Sequence, residues 1–520
     1  MTPALRGKAF DRTTIAFVAV LIAATALRIW ALKLTPINLY HDEAEFWAWS
    51  RAPAWGYLSS PPMVAWAISA TTRLFGDVEW AVRLAAPLAQ AASAVALYAL
   101  ARNVYGAWAG FWTGIVWLVT PGVWFSSNVI SADVLLLPFW SLSLVAMWRM
   151  VQTRSMAWAI ALGAAIGLGF NAAYAILYFP ICMLVASRWS EPVREALKGG
   201  RGVMAIVVAF ALFAPNVAWN AQHSFESAQQ AAANLGINFA NLFNLNKIAE
   251  FMTGQALIIG PIVFFVLLGL FARSTNRAGG LSDEDRFLLA FTLPPLVLVT
   301  VFAVVARADV NWAVTAYPAA LTWFVGSLIG AATGRRVLAA ALITNLVLGG
   351  IIAFGFFHPS SAGVVRGMRE STAWNETARA VALRAVPLRG ERPFNAVVVD
   401  DPATYYELNF YWSRERAQSS DLPPLRLWMA RGLTRPAPDG ADALTGGDGG
   451  RVLVVHAAPP LVPFVAGDFT TFRTVDHIRV PLGGDTVRAI DLSIGEGFAP
   501  AHRDGAFLER LEARPNQPPT

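Results

Sequence analysis

Apolar residues in this chain fall into long blocks separated by short loops that hold Arg, Lys, Pro or Asn. Blocks of this length are what a helix needs to cross hydrocarbon. We place about eleven, at roughly 14–34, 80–101, 107–125, 134–150, 157–172, 174–187, 203–219, 250–271, 287–306, 313–331 and 337–357. The short fifth and sixth blocks read either as two spans or as one broken pair dipping toward a site. After Phe357 the pattern changes. Asn395–Asp400, Arg451–His456 and Thr486–Leu492 are short apolar runs rich in β-branched residues. Between the first two, Pro402 to Arg414 offers a helical apolar face through Ala403, Tyr406, Leu408, Tyr411 and Trp412. Strands separated by a helix predict a small α/β domain. The expected organisation is therefore a mainly α, polytopic membrane helical bundle over residues 1–357, followed by an α/β domain over 358–520. The Pro/Gly-rich stretch 431–450 is expected to be a loop, and Arg514–Thr520 to be disordered.

Composition agrees with the pattern. Hydrophobic residues make up 56% of the chain and charged residues 14%, and the mean hydropathy is +0.48, which excludes an ordinary soluble domain. The net charge of +6 does not point to nucleic acid, because the basic residues are spread over one set of loops. That set holds Arg6, Lys8 and Arg12; Arg102; Arg149 and Arg154; Arg188, Arg194, Lys198 and Arg201; Arg273, Arg277 and Arg286; Arg335 and Arg336. The opposite loops hold only Arg51, Arg73, Lys247, Arg307 and, at a boundary, Lys33. The positive-inside rule then makes the amino terminus cytoplasmic, and an odd number of spans puts Asp42 and everything after His358 on the outer side of the membrane. The first segment lacks a small-residue cleavage site and carries Arg28, so it reads as an uncleaved anchor. Cys182 is the single cysteine and lies in an apolar block, where it reads as a small buried hydrophobe. Disulfides therefore cannot hold the outer domain together, and a cysteine metal cage is excluded.

Candidate chemistry concentrates in the outer loops. Tyr40-His41-Asp42-Glu43 places two adjacent carboxylates just beyond the first apolar block, followed by Trp47-Ala-Trp49-Ser50 and Gly56-Tyr57-Leu58-Ser59-Ser60-Pro61-Pro62. Acids at a membrane face cost several kcal/mol unless paired or wet, so they mark a functional site by default. Further polar residues lie in Ser126–Asp133, in Trp219-Asn220-Ala-Gln222-His223 and in Arg307-Ala-Asp309-Val-Asn311-Trp312. Polar groups converging on one face and framed by interfacial aromatics suit a cleft for an amphiphilic substrate. Simpler readings stand beside these: Asp42 and Glu43 as caps of an interfacial helix, Asp133 as an N-cap, His223 as a loop residue and the tryptophans as belt residues. Arg28 either snorkels to the surface or pairs with an acid of the site.

In this order, the Asp42-Glu43 pair, the Gly56–Pro62 run, Ser131-Ala-Asp133, Trp219–His223 and Asn311-Trp312 resemble the bacterial branch of the dolichyl-phosphate-mannose protein mannosyltransferase superfamily. That branch includes the lipid A aminoarabinose and galacturonosyl transferases. The resemblance covers about residues 14–357. It implies a type-C glycosyltransferase fold and an inverting transfer of a sugar from a polyprenyl-phosphate donor to a lipid, polysaccharide or protein acceptor. A sugar on a lipid phosphate is already activated, so transfer needs one base for the acceptor hydroxyl and cations for the departing phosphate. By the same resemblance Asp42 is the catalytic base, Glu43 orients it or the acceptor, and Asp133 positions sugar or acceptor. Tyr57, Ser59 and Ser60 would wall the entry of the lipid phosphate, and Arg28, His223 and Asn311 complete the substrate-binding set.

The chain departs from the family pattern at two places. A Lys or His often precedes the Pro-Pro pair, where Ser60 stands here, and Ser-Lys-Tyr often precedes the sixth helix, where this chain reads Ala172-Ala173-Tyr174. Either Arg51, Arg73, Arg83, Lys247 or Arg307 supplies the missing cation, or catalysis is weakened. No metal or cofactor is required on this reading, although His41, Asp42, Glu43 and Asp133 are compatible with a divalent cation. A lipid-linked sugar transporter or flippase and a non-catalytic relative acting as a partner are the rival readings. Transporters favour midplane polar groups on broken helices with repeat symmetry, and no repeat is visible here.

Overall fold

The computed structural model describes residues 11–225, 245–275, 280–305, 309–359, 368, 370–387, 390, 392–430, 441–484 and 486–512. The chain folds into two compact units. The first holds residues up to Leu34 together with Ala54–Ala353, and the second joins Thr35–Pro53 to Phe354–Thr520.

The first unit is helical. Among the described residues seven helices are long and apolar enough to cross a membrane: Arg12–Leu34, Glu79–Tyr105, Ala132–Thr153, Arg201–Gln222, Asp283–Val304, Val310–Ile329 and Ala332–Phe357. Ala107–Val119, Met156–Ala172 and Tyr174–Trp189 are apolar but shorter. Within the described residues each block read from the sequence is largely helical, while about eleven full crossings are not confirmed. The fifth and sixth blocks are separate helices, the sixth opening with a 3-10 turn at Tyr174–Leu177. The break falls instead in the eighth block, where Asn246–Ile259 and Pro261–Ser274 meet at 107°. Gly260 takes φ +93, open to a residue without Cβ, and Pro261 cannot continue the hydrogen-bond ladder. Asn345 Nδ2 donates to the Ile259 carbonyl at 3.0 Å, meeting the requirement that backbone freed within a membrane finds a protein partner.

Two glycines bring Met156–Ala172 against Arg201–Gln222. A Cβ on Gly163 would stand 2.4 Å from the Ala205 carbonyl oxygen, and one on Gly167 2.7 Å from that of Ala209. Glycines four residues apart let the two backbones approach, which is how helices associate where lipid removes the hydrophobic drive. Arg28 is buried. Its Nη2 donates to the Leu118 carbonyl, one of the last carbonyls of Ala107–Val119, which the helix itself leaves without a partner.

The second unit carries a five-stranded sheet in the order β2-β1-β3-β5-β4. The strands are β1 Ala396–Val399, β2 Leu425–Leu427, β3 Arg451–His456, β4 Phe469–Gly483 and β5 Thr486–Phe498. β1 pairs in parallel with β2 and β3, and β5 runs antiparallel between β3 and β4. All four residues of β1 are buried, as expected of a central parallel strand covered on both faces. The helix Pro402–Gln418 follows β1, capped by Asp401, whose carboxylate accepts from Thr404 N at 2.8 Å. A further helix, Trp374–Ala385, precedes the sheet.

Candidate functional site

The first group of site residues lies on a ten-residue helix, His41–Ser50, in the second unit. Tyr40 is its N-cap residue, and the Glu43 carboxylate accepts from Tyr40 N at 3.1 Å. Glu43 is thereby drawn inward and wholly buried, closing one of the donors a helix start leaves open. Asp42, one position earlier, points outward. Its carboxylate stays 65% exposed and pairs with His41 Nε2 at 2.9 Å. Hydrogen bonding to Asp42 pushes the His41 imidazole up to about 9. The two adjacent acids thus divide into an accessible carboxylate and a buried capping one. The helix rests on Pro402–Gln418, with Trp47 edge-on to Phe410 at 5.0 Å and Leu39 N donating to Tyr411 Oη at 3.1 Å.

The second group lies in the helical unit. Asn311 Nδ2 donates to Asp133 Oδ2 at 2.6 Å, so residues 178 positions apart meet. Ser131, not Asp133, is the N-cap of its helix, its side chain accepting from Val134 N at 3.3 Å. The Asp133 carboxylate is therefore engaged with Asn311 rather than with the helix start. Gly56–Pro62 packs elsewhere in the same unit. Tyr57 is buried, its hydroxyl accepting from Ala54 N at 2.9 Å and its own N–H donating to the Ser60 carbonyl at 3.2 Å. Ser59 is exposed and Ser60 half-buried. His223 lies exposed, stacked on Trp219 with ring centroids 4.0 Å apart.

Asn216, which the sequence reading did not single out, ties this loop down. Its Nδ2 donates to the Trp55 carbonyl at 2.7 Å, and its Oδ1 accepts from Asn220 at 3.1 Å and from Tyr174 Oη at 3.4 Å. The signal was available, since Asn216 and Asn220 stand one turn apart in an otherwise apolar helix, where buried polar groups are costly. Gly56 meets the same helix: a Cβ there would fall 2.4 Å from Trp219 Cε3. Gly56→Ala should therefore push Trp219 off His223 or lift the loop, costing about 1–3 kcal/mol, the usual cost of overpacking. A lowered melting temperature in detergent is the expected result, and an unchanged one would show that the loop is not seated on Trp219.

Of the residues considered for the missing phosphate cation, Arg83 is buried, whereas Arg51, Arg73 and Lys247 are exposed. Arg307 lies outside the described residues. Among the described residues no three His, Cys, Asp or Glu side chains stand close enough to hold a metal ion together.

The second unit also contains a Ser-His-Asp array that sequence spacing did not reveal. His456 Nδ1 bonds Asp400 Oδ2 at 3.1 Å and Nε2 bonds Ser493 Oγ at 3.0 Å. Asp400 also accepts from Ala457 N at 2.9 Å, and Ser493 bonds Thr474 Oγ1 at 3.2 Å. All three side chains are buried, so the array ties the residue just after β1 to β3 and β5 as a satisfied polar network instead of meeting a substrate. His456→Ala would leave two buried groups short of a partner, so unfolding should become easier by about 1–3 kcal/mol. Thermal unfolding of the purified chain measures this, and an unshifted transition would contradict the network's role.

Residues 59–219 match the family described as dolichyl-phosphate-mannose-protein mannosyltransferase. Over 311 residues the chain is 34% identical to the lipid A galacturonosyltransferase RgtD of Rhizobium johnstonii, an alignment covering 58% of this chain and 63% of that protein. Among solved structures, ArnT from Cupriavidus metallidurans superposes with a TM-score of 0.61 at 15% identity, covering 92% of this chain and 98% of ArnT. The same enzyme bound to undecaprenyl phosphate gives a TM-score of 0.59 at 15% identity, covering 92% and 97%. The resemblance to this superfamily is thus found both in sequence and in fold, and the chain is a multi-pass membrane protein with the ArnT fold.

Proposed function

We propose that this chain, a relative of the dolichyl-phosphate-mannose protein mannosyltransferases, is an inverting glycosyltransferase that moves a sugar from a polyprenyl phosphate to a lipid A-type acceptor at the periplasmic face of the bacterial inner membrane. The observation that carries the reading is the 34% identity to a lipid A galacturonosyltransferase, and the fold shared with ArnT along nearly its whole length supports it. Galacturonic acid is accordingly the first donor sugar to test.

Asp42 is the base of this proposal. It is the exposed member of the acid pair, as a group that must reach an acceptor hydroxyl has to be. Its carboxylate takes the hydroxyl proton as the acceptor oxygen attacks the anomeric carbon. The bond from that carbon to the phosphate oxygen breaks, and the polyprenyl phosphate leaves with the bonding electrons. Glu43 serves by fixing the helix start through Tyr40 N. Asp133, held by Asn311, contributes to sugar or acceptor binding. We assign the charge of the leaving phosphate to Arg or Lys side chains, which neutralise a monophosphate without a metal.

The test is the mass of the envelope glycolipids with and without the gene. The proposal expects lipid A-type species to lose the mass of one sugar on deletion and to regain it on complementation. An unchanged glycolipid profile would argue against it.

A further inference from the structure

We propose that Glu407 and Arg488 of the second unit are positioning residues that hold the first turn of His41–Ser50, and so the Asp42 carboxylate, in place. This inference rests on Asp42 acting as the base.

The helix Pro402–Gln418 presents Glu407, Phe410, Tyr411 and Arg414 along one face, at the spacing that aligns side chains on a helix. Phe410 receives Trp47 and the Tyr411 hydroxyl receives Leu39 N, so this face meets the acidic helix and the residues leading into it. Glu407 lies one turn earlier on the same face. It is buried, and when ionised it feels the charges of Arg488 from β5, of His41 and Asp42 from the acidic helix, and of Asp401 at the start of its own helix. Arg488 braces the residues that lead into the acidic helix by holding the turn before Trp374–Ala385. Its guanidinium lies 3.6 Å from the Trp374 ring centroid. It donates to the Thr372 carbonyl at 3.0 Å, to Thr377 Oγ1 at 3.0 Å and to the Glu370 carbonyl. The turn so held is the one that grips Asn38: Asn38 N donates to the Ser371 carbonyl at 2.9 Å, and Trp374 N donates to Asn38 Oδ1 at 2.7 Å. Asn38, Leu39 and Tyr40 lead directly into His41 and Asp42. A continuous set of contacts thus runs from the sheet to the proposed base.

Glu407 also makes this support sensitive to pH. Burial pushes its carboxyl up to about 8, so at neutral pH it is largely uncharged beside the His41–Asp42 pair. The folded protein holds that proton more tightly than the unfolded chain does. Stability from this group is therefore greatest below the ordinary carboxylate range and falls as pH rises toward 8. His41, raised by Asp42 to about 9, adds stability that is complete below its ordinary value and is lost as pH rises through 9. Ionised Glu407 competes with Asp42 for the His41 imidazolium, so turnover should decline above pH 8.

The test compares wild type, Glu407→Ala and Glu407→Gln in transfer kinetics across pH 6–9, with melting temperatures from the same preparations. Because an ångström of misplacement is costly in catalysis, Glu407→Ala should lower kcat roughly tenfold or more with donor KM little changed. Glu407→Gln, which keeps the shape and cannot ionise, should recover most of that loss and shift the alkaline decline upward. A melting-temperature cycle pairing Glu407→Gln with His41→Gln at about pH 8.5, where Glu407 is ionised and His41 still largely protonated, reads the contact without any activity, and its shifts should be non-additive. Normal kcat per folded Glu407→Ala molecule, Gln rescuing no better than Ala, or additive melting shifts would each overturn the positioning role. If Asp42→Asn were active while the melting shifts remained non-additive, the failure would lie with Asp42 as base and not with this contact.

Discussion

Replacing Asp42 by Asn should reduce sugar transfer by roughly 10²–10⁴-fold, the worth of a positioned general base. Asn matches Asp in size and keeps most of its hydrogen bonding but accepts no proton at working pH. The carboxylate is exposed, so donor binding should change little, while loss of its charge beside His41 should lower the melting temperature only modestly. Glu43→Gln should behave differently. Glu43 is wholly buried and caps Tyr40 N, so its change should appear chiefly in stability, with a smaller loss in transfer. A purely capping role for Asp42 predicts the reverse for that residue, because Asn caps a helix nearly as well as Asp and activity would stay close to normal.

The second large effect should come from helix packing. In Gly163→Val combined with Gly167→Val, each new side chain would be driven into the backbone of Arg201–Gln222 at the Ala205 and Ala209 carbonyls. Overpacking costs about 1–3 kcal/mol per site, and neither carbonyl can move without its helix. The displaced helix carries Asn216, Trp219 and Asn220, which seat the Gly56–Pro62 loop. Loss of monodisperse protein in size-exclusion chromatography, with transfer lost in parallel, is the expected outcome. A well-folded, active double variant would mean that the two helices do not depend on this close approach.

The membrane helices were legible because an uninterrupted apolar block is a local signal. Their detail was less so. The Gly260-Pro261 pair announces a break, yet apolar residues continue on both sides and the segment reads as one span. In the second unit β1, β3 and β5 stood out as β-branched runs. β2 is only three residues long, and β4 carries Arg473, Asp476, His477 and Arg479 on a largely exposed ribbon, so neither resembles a buried strand in sequence. The acid pair was legible as loop acids placed beyond an apolar block. Its attachment was not. Leu39 meets Tyr411 across 372 positions and Asn38 meets Trp374 across 336, and contacts at that separation leave no local pattern in a single sequence. The same holds for Asp400, His456 and Ser493, three residues from three separate stretches of chain, and for the Asp133–Asn311 bond.

Glu43 and Asp133 illustrate how one residue type can satisfy two readings. Read as a helix cap, Glu43 has the partner that reading requires, and it stands beside an accessible Asp42 whose own role is proposed as chemical. Asp133 leaves the capping to Ser131 and spends its carboxylate on Asn311. If that pair holds substrate, Asp133→Asn should weaken binding as well as turnover.

The central claim is group transfer from a lipid phosphate with Asp42 as the base. Its most direct test is transfer of labelled galacturonic acid from a synthetic polyprenyl-phosphate donor to purified lipid A by wild type and by Asp42→Asn, in the same detergent and at equal folded concentration. The account predicts label in lipid A with wild type and at least about a hundredfold less with Asp42→Asn. Equal transfer by the two proteins, or no transfer by wild type from a panel of polyprenyl-phosphate sugars, would contradict it.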